Sequence, residues 1–277
     1  MTPRALIQKT AGHLRACGVP DPVTDCSLLL SSVCGVPPLE LRIDDQTALT
    51  AEQLSCFIAL AERREKREPL QYILSEAYFC GRPFHVEPAV LIPRPETELL
   101  CEWAADLLRL HSSPSILDLC TGSGCIGITL ALDLPRADVT ASDISPDAIR
   151  TARYNARRLG ADVRFLLSDL YDSVETKNFS LVISNPPYIP SSEIPCLQPE
   201  VLFEPCLALD GGYDGLSFYR RIVSGSLLCL APGGILLMEL GYGQHEAVLQ
   251  MMLSAGFSET EIRSDYSGIK RMIMGRL

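Results

Sequence analysis

Ser115-Ile116-Leu117-Asp118-Leu119-Cys120-Thr121-Gly122-Ser123-Gly124 is the stretch from which the rest of the chain can be read. Ile116–Cys120 is a short apolar run of strand length, Thr121–Gly124 is a tight turn, and Cys125–Leu132 is long and apolar enough for a helix. The pattern then repeats. Val139–Asp143 predicts a second strand, and Ser145-Pro146-Asp147 caps a helix that ends at Gly160. Val163–Leu167 predicts a third strand leading to Ser168-Asp169, and Phe179–Ile183 a fourth. A helix around Leu216–Leu230 precedes a fifth strand, Ile235–Leu240. Gln244–Ala255 reads as helix, and strands near Glu259–Ser264 and Arg271–Met274 close the series. Alternating strands and helices predict an α/β fold with a mostly parallel sheet, helices on both faces, and ligands at the carboxyl ends of the strands.

Gly122 and Gly124 let the backbone approach a ligand, and the helix that follows points its N-terminus at it. Asp143 ends the second strand 19 residues beyond Gly124, where an acid can hydrogen-bond ribose hydroxyls. Gly122, Gly124 and Gly127 also match the Gly-x-Gly-x-x-Gly spacing of nicotinamide enzymes. However, Asp118, Asp169 and Asn185 add a row of polar groups in or at the ends of strands. S-adenosyl-L-methionine suits that row better, because it has no phosphates, its ammonium can pair with a carboxylate, and its adenine amine can donate to Asp169.

The fourth strand runs into Ser184-Asn185-Pro186-Pro187-Tyr188. Proline has no N–H for the sheet and pushes the preceding residue out of the helical region, so the chain is held extended and stiff there. The Asn185 amide, the Pro186 carbonyl and the Tyr188 ring are presented together, an arrangement suited to gripping the hydrogens of a planar NH2 group.

Upstream, residues 1–73 read as helices broken at Gly18–Pro22 and Gly35–Pro38. Thr50 with Glu52 and Gln53 forms a capping box for a helix running to about Glu68. The charges of Glu62–Glu68 alternate and read as a solvated helix face. Tyr72–Leu74, Ala77–Phe79 and Phe84–Val86 alternate around Gly81-Arg82-Pro83 and predict a hairpin linker over 74–93. Arg94 and Glu96 would form a surface salt bridge, with Thr97 or its acidic neighbours starting the next helix. The resulting division is a helical docking domain (1–73), the linker, and a catalytic domain (94–277).

The net charge of −10 argues against a dedicated nucleic-acid binder. Residues 1–75 hold 8 basic and 9 acidic side chains and the other 202 hold 16 and 25, so the negative charge lies with the sheet region. Eleven scattered cysteines without zinc spacing read as reduced thiols, and no metal site is expected. No apolar run is long enough to span a membrane, and the N-terminus lacks the hydrophobic block of an export signal, so the expected location is the cytoplasm.

Several stretches together resemble the protein-glutamine methyltransferases that modify peptide chain release factors. They are Pro69–Leu74, Leu91-Ile92-Pro93-Arg94-Pro95-Glu96-Thr97-Glu98, Asp118–Gly124, Asn185–Ile189 and Ala208-Leu209-Asp210-Gly211-Gly212-Tyr213-Asp214-Gly215-Leu216. The resemblance implies a Rossmann-like class I S-adenosyl-L-methionine-dependent methyltransferase sheet with a small N-terminal helical domain. It implies methyl transfer to the amide nitrogen of the glutamine in a Gly-Gly-Gln loop. Cys120, Thr121, Gly122, Ser123, Gly124, Asp143 and Asn185 would line the cofactor site, and Asn185, Pro186, Pro187 and Tyr188 would hold the glutamine. Two departures stand out: Cys120 where glycine is often expected, and Leu170 where some members stack tryptophan near adenine. The expected partner is a release factor, met by a monomer without direct nucleic-acid or membrane contact. A ribosomal-protein glutamine and a nucleic-acid adenine are the alternative substrates; a silent translation scaffold and a nicotinamide reductase are more remote readings.

Overall fold

The computed structural model describes residues 1–175 and 178–277, and the chain divides into two compact units. The first comprises Met1–Glu76 with Gln198–Phe203. It holds α1 (Pro3–Ala16), α2 (Pro22–Cys34), α3 (Pro38–Ile43), α4 (Ala51–Glu65) and α5 (Leu70–Leu74). Each start is written locally. Thr2 and Asp21 accept from Ala5 and Thr24 N–H, and Thr50 with Gln53 completes a reciprocal capping box, each such cap being worth about 1 kcal/mol. Leu6, Ile7, Leu14, Leu29, Leu30 and Phe57 fill the core between these helices.

Three expectations for this unit are corrected. α4 stops at Glu65 rather than Glu68, because Arg67 adopts a left-handed φ of 67° ahead of Pro69. The charges that follow are not simply solvated. Arg64 is only 4% exposed and donates to Asp25 Oδ2 at 2.7 Å and Glu200 Oε1 at 3.0 Å, while Arg67 holds both Glu200 oxygens at 2.6 Å. Tyr72–Leu74, read as strand, belongs to α5.

The second unit comprises Ala77–Leu197 with Glu204–Leu277. β1 (Glu76–Phe79) and β2 (Arg82–His85) form a two-stranded sheet joined by Cys80 and Gly81, both at positive φ (48° and 71°), as a two-residue hairpin turn requires. The main elements follow: α6 (Pro95–Leu108), β3 (Ser115–Leu119), α7 (Cys125–Asp133), β4 (Asp138–Asp143), α8 (Pro146–Leu159), β5 (Arg164–Leu167) and β6 (Phe179–Ser184). After three single 3-10 turns come α9 (Ser217–Ser226), β7 (Leu230–Glu239), α10 (His245–Ser254), β8 (Glu259–Ser264) and β9 (Lys270–Arg276).

The seven strands run in the order β5-β4-β3-β6-β7-β9-β8; the first five are parallel and β9 is antiparallel to both its neighbours. Period-two alternation splits the core between the faces. Ile116, Leu181, Ile183, Ile235 and Leu237 pack with α6, α7 and α8, while Leu117, Leu119, Val182, Leu236 and Met238 pack with α9 and α10. β7 begins five residues earlier than Ile235 because Leu230 pairs with Phe179 across a register shift that accommodates Pro232. β4 lies on one side of β3 and β6 on the other, so the chain reverses its winding at β3 and opens a crevice above the strand ends.

Candidate active site

The turn after β3 rises into this crevice. Cys120, Gly122 and Gly124 all take left-handed torsions (φ 59°, 56° and 84°), a backbone conformation that favours glycine and that Cys120 meets at a strain of about 1 kcal/mol. At Gly124 a Cβ would lie 2.7 Å from Ile128 Cδ1 and 3.1 Å from Ala152 Cβ. Asp118 lies beneath the turn. Its Oδ2 accepts from Thr121 Oγ1 at 2.6 Å and Gly127 N at 3.0 Å; Oδ1 has no partner among the described residues, and burial pushes the carboxyl up to about 7. Asn155 Nδ2 donates to the Ser123 carbonyl at 2.9 Å, tying the turn to α8.

Asp143 ends β4 facing the turn, accepting Gly122 N on Oδ2 and Ser145 N on Oδ1, both at 2.9 Å. Burial raises its pKa, and the backbone N–H bonds oppose that rise. Asp169 pairs with Arg221 at 2.8 Å, a partner not anticipated from sequence. Leu170 is buried at φ 49°.

These groups frame a cleft above the carboxyl ends of the strands. Of the expected residues, Cys120, Gly122, Asp143, Asp169, Leu170, Asn185 and Pro187 line it. Asp118, Thr121, Ser123 and Gly124 shape the turn from behind, and Pro186 and Tyr188 stand outside the lining. Sequence reasoning missed Val90, Leu91, Ile144, Leu207 and Phe218, apolar walls with no chemical signature. Glu204 secures two of these segments, accepting Ile92 N at 3.0 Å and pairing with Arg94, which is therefore no surface ion pair with Glu96.

The donor set decides which ligand fits. The lining carries Asp143 and Asp169 and neither lysine nor arginine. A dinucleotide pyrophosphate would find no cationic side chain in this lining, whereas the sulfonium and ammonium of S-adenosyl-L-methionine meet carboxylates, and the Gly122 turn leaves room for the backbone to approach.

At the cleft's edge, β6 delivers Asn185. Its Nδ2 donates to Thr97 Oγ1 at 3.1 Å, Thr97 Oγ1 donates to Glu239 Oε2 at 2.6 Å, and Tyr188 Oη donates to Glu239 Oε1 at 3.3 Å. Burial pushes Glu239 up to about 7, and burial, with the adjacent Glu239 adding to it, raises Tyr188. Among the described residues nothing donates to Asn185 Oδ1 or the Pro186 carbonyl.

The 208–216 stretch buttresses the proline-locked segment. Gly211 N donates to the Ile189 carbonyl at 2.8 Å and Ile189 N to the Leu209 carbonyl at 3.0 Å, and Gln244 Nε2 reaches the Tyr188 carbonyl at 2.8 Å. A Cβ on Gly211 would lie 2.7 Å from Tyr188 Cα, which is why that position admits no side chain.

Residues 5–74 match the PrmC N-terminal domain and residues 97–196 the methyltransferase small domain, the latter spanning α6 to the segment after Asn185. A release factor glutamine methyltransferase of Geobacter sulfurreducens is 43% identical over 277 residues, covering 100% of this chain and 97% of the relative. One from Koribacter versatilis is 38% identical, covering 100% and 99%. Among solved structures, a Pyrococcus furiosus methyltransferase superposes with a TM-score of 0.53 at 17% identity, covering 71% of this chain and 89% of its own. A Thermus thermophilus 16S rRNA methyltransferase solved with AdoMet and guanosine gives 0.54 at 17%, covering 73% and 49%; both likenesses are of fold. With identity of this order held from end to end, the chain belongs to the release factor glutamine methyltransferase family.

Proposed function

We propose that the chain uses S-adenosyl-L-methionine to methylate the side-chain amide nitrogen of the glutamine in the Gly-Gly-Gln loop of a peptide chain release factor. The observation that carries this reading is the pair of unclaimed acceptors, Asn185 Oδ1 and the Pro186 carbonyl, on a stiff segment at the edge of an acidic cleft free of lysine and arginine. A primary carboxamide presents two N–H hydrogens in one plane, which these two acceptors can take together.

When bound, the cofactor supplies a methyl group made electrophilic by its sulfonium. Asp143 would hold the ribose, the Cys120–Gly124 turn the amino-acid part, and Leu170 with Asp169 the adenine end. An amide nitrogen is a poor nucleophile because its lone pair is delocalised into the carbonyl. Catalysis therefore rests on placement: holding the nitrogen in line is worth about 7–11 kcal/mol of barrier. Pro187 and the partly exposed Tyr188 ring confine the carboxamide, and the ring face tolerates neighbouring cationic charge. Glu239 is not placed as a base, since both its oxygens are engaged by Thr97 and Tyr188.

Residues 1–73 serve as the docking domain for the release factor, 74–93 as linker and 94–277 as the catalytic domain of a cytoplasmic monomer. The net charge of −10 weighs against a nucleic-acid substrate. The test is transfer of labelled methyl to a purified release factor, to its glutamine-substituted variant, to ribosomal protein and to DNA in parallel. Label on the release factor alone, lost with the glutamine, is the expected result. Label on DNA or ribosomal protein instead overturns the reading.

A further inference from the structure

We propose that Thr97 and Glu239 are positioning residues that lock the Asn185 side chain with its oxygen toward the cleft. The inference rests on the reading of Asn185 as the carboxamide-binding group. An asparagine amide is nearly symmetric in shape, and its two ends have opposite hydrogen-bonding character. Turned over, it would present hydrogens to the hydrogens of the glutamine. Something must set its sense.

The register of the sheet brings the three groups together. Ser184 of β6 pairs with Met238 of β7, so the next residues, Asn185 and Glu239, emerge side by side at the carboxyl edge. Thr97, in the first turn of α6, is 2% exposed and reaches Glu239 across 142 positions of sequence. With Glu239 ionised both its oxygens can only accept, so the single hydrogen of the Thr97 hydroxyl is committed to Oε2 at 2.6 Å. Thr97 can then only accept from Asn185, and the group facing it at 3.1 Å must be the NH2 end. Oδ1 is left pointing away, with no donor of its own among the described residues. Glu239 is itself held by Tyr188 Oη on the other oxygen, and Tyr219 Oη donates to its backbone carbonyl at 3.1 Å. Orientation is thus passed from a buried carboxyl through one hydroxyl to the amide. Neither Thr97 nor Glu239 touches the reacting atoms.

Thr97→Val keeps the shape and removes the hydroxyl, leaving an amide donor against an apolar wall. Leaving a buried donor unpaired shifts an equilibrium by roughly five- to a hundredfold, in favour of conformers that turn the NH2 group outward. The expected result is a loss of at least about tenfold in kcat. Cofactor affinity should stay within about twofold, because Asp143 and the glycine turn are untouched. Thr97→Ser, which retains the hydroxyl, should restore kcat to within about threefold of the native chain.

A second measurement needs neither substrate nor a stable variant. The chain has three asparagines, Asn155, Asn178 and Asn185, so the side-chain amide spectrum of asparagine-labelled protein can be assigned by single substitution. In the native chain without substrate, the Asn185 amide hydrogens should exchange with solvent far more slowly than those of exposed Asn178. Exchange as fast as that of Asn178, or a Thr97→Val enzyme with kcat within about twofold of native, overturns the positioning role. If the native chain transfers no methyl to a release factor, the proposed function fails, and the exchange measurement still decides the positioning on its own.

Discussion

Replacing Glu239 by glutamine should change how stability depends on pH. The carboxyl is 2% exposed at the end of β7, beside Thr97, Tyr188 and Tyr219, with Arg271 lowering its pKa and Glu96 raising it. Burial dominates and carries the group from 4.5 to about 7. The sign follows from proton counting. Between those values the folded chain keeps a proton that the unfolded chain has released, so raising the pH favours unfolding. The stabilising contribution is complete below about 4.5, is lost as pH rises toward 7, and changes little above that. At about 1.4 kcal/mol per unit, the shift amounts to roughly 3 kcal/mol. Asp118 titrates in the same range, so the native curve alone would not isolate Glu239; the difference between native and Glu239→Gln does. Urea unfolding of both proteins at intervals from pH 5 to 8 gives that difference. The native chain should lose ground to the variant steadily up to about pH 7 and hold level beyond it. A difference constant within about 0.5 kcal/mol across the range would refute a raised pKa for Glu239.

Three further substitutions have definite expectations. Asp143→Ala strips Gly122 and Ser145 N–H of their acceptor and removes the ribose contact, so cofactor affinity should weaken at least about tenfold; unchanged affinity by calorimetry would contradict that role. Gly211→Ala drives a methyl to 2.7 Å from Tyr188 Cα and should cost about 1–3 kcal/mol while slowing transfer, and a native urea midpoint would show that the close approach does not matter. Glu204→Ala leaves Ile92 N–H and Arg94 without their buried partner and should destabilise by about 3 kcal/mol, which denaturant unfolding would register.

Much of this was legible from local sequence, because the relevant physics is local. Gly-x-Gly after an apolar strand, Asp143 at the next strand end and the two prolines after Asn185 each impose a conformation within a few residues, and the structure gathers them at one crevice. The Thr50 capping box formed for the same reason. What escaped depends on partners distant in the chain. The alternating charges around Arg64 carry no mark that Asp25 and Glu200 lie against it. Arg221 reaches Asp169 from a helix whose polar face looked ordinary. The position of β9 between β7 and β8 is a matter of topology that two short strands cannot announce. Glu239 was within reach: an acid closing an apolar strand of a parallel sheet is the same signal that singled out Asp143.

The most direct test of the account is single-turnover methyl transfer to a release factor by Asn185→Ala, with cofactor affinity measured on the same protein. Loss of the preorganised acceptor should slow transfer by about a hundredfold or more, about 3 kcal/mol, while the cofactor still binds. Near-native transfer by that variant would mean that the carboxamide is gripped elsewhere.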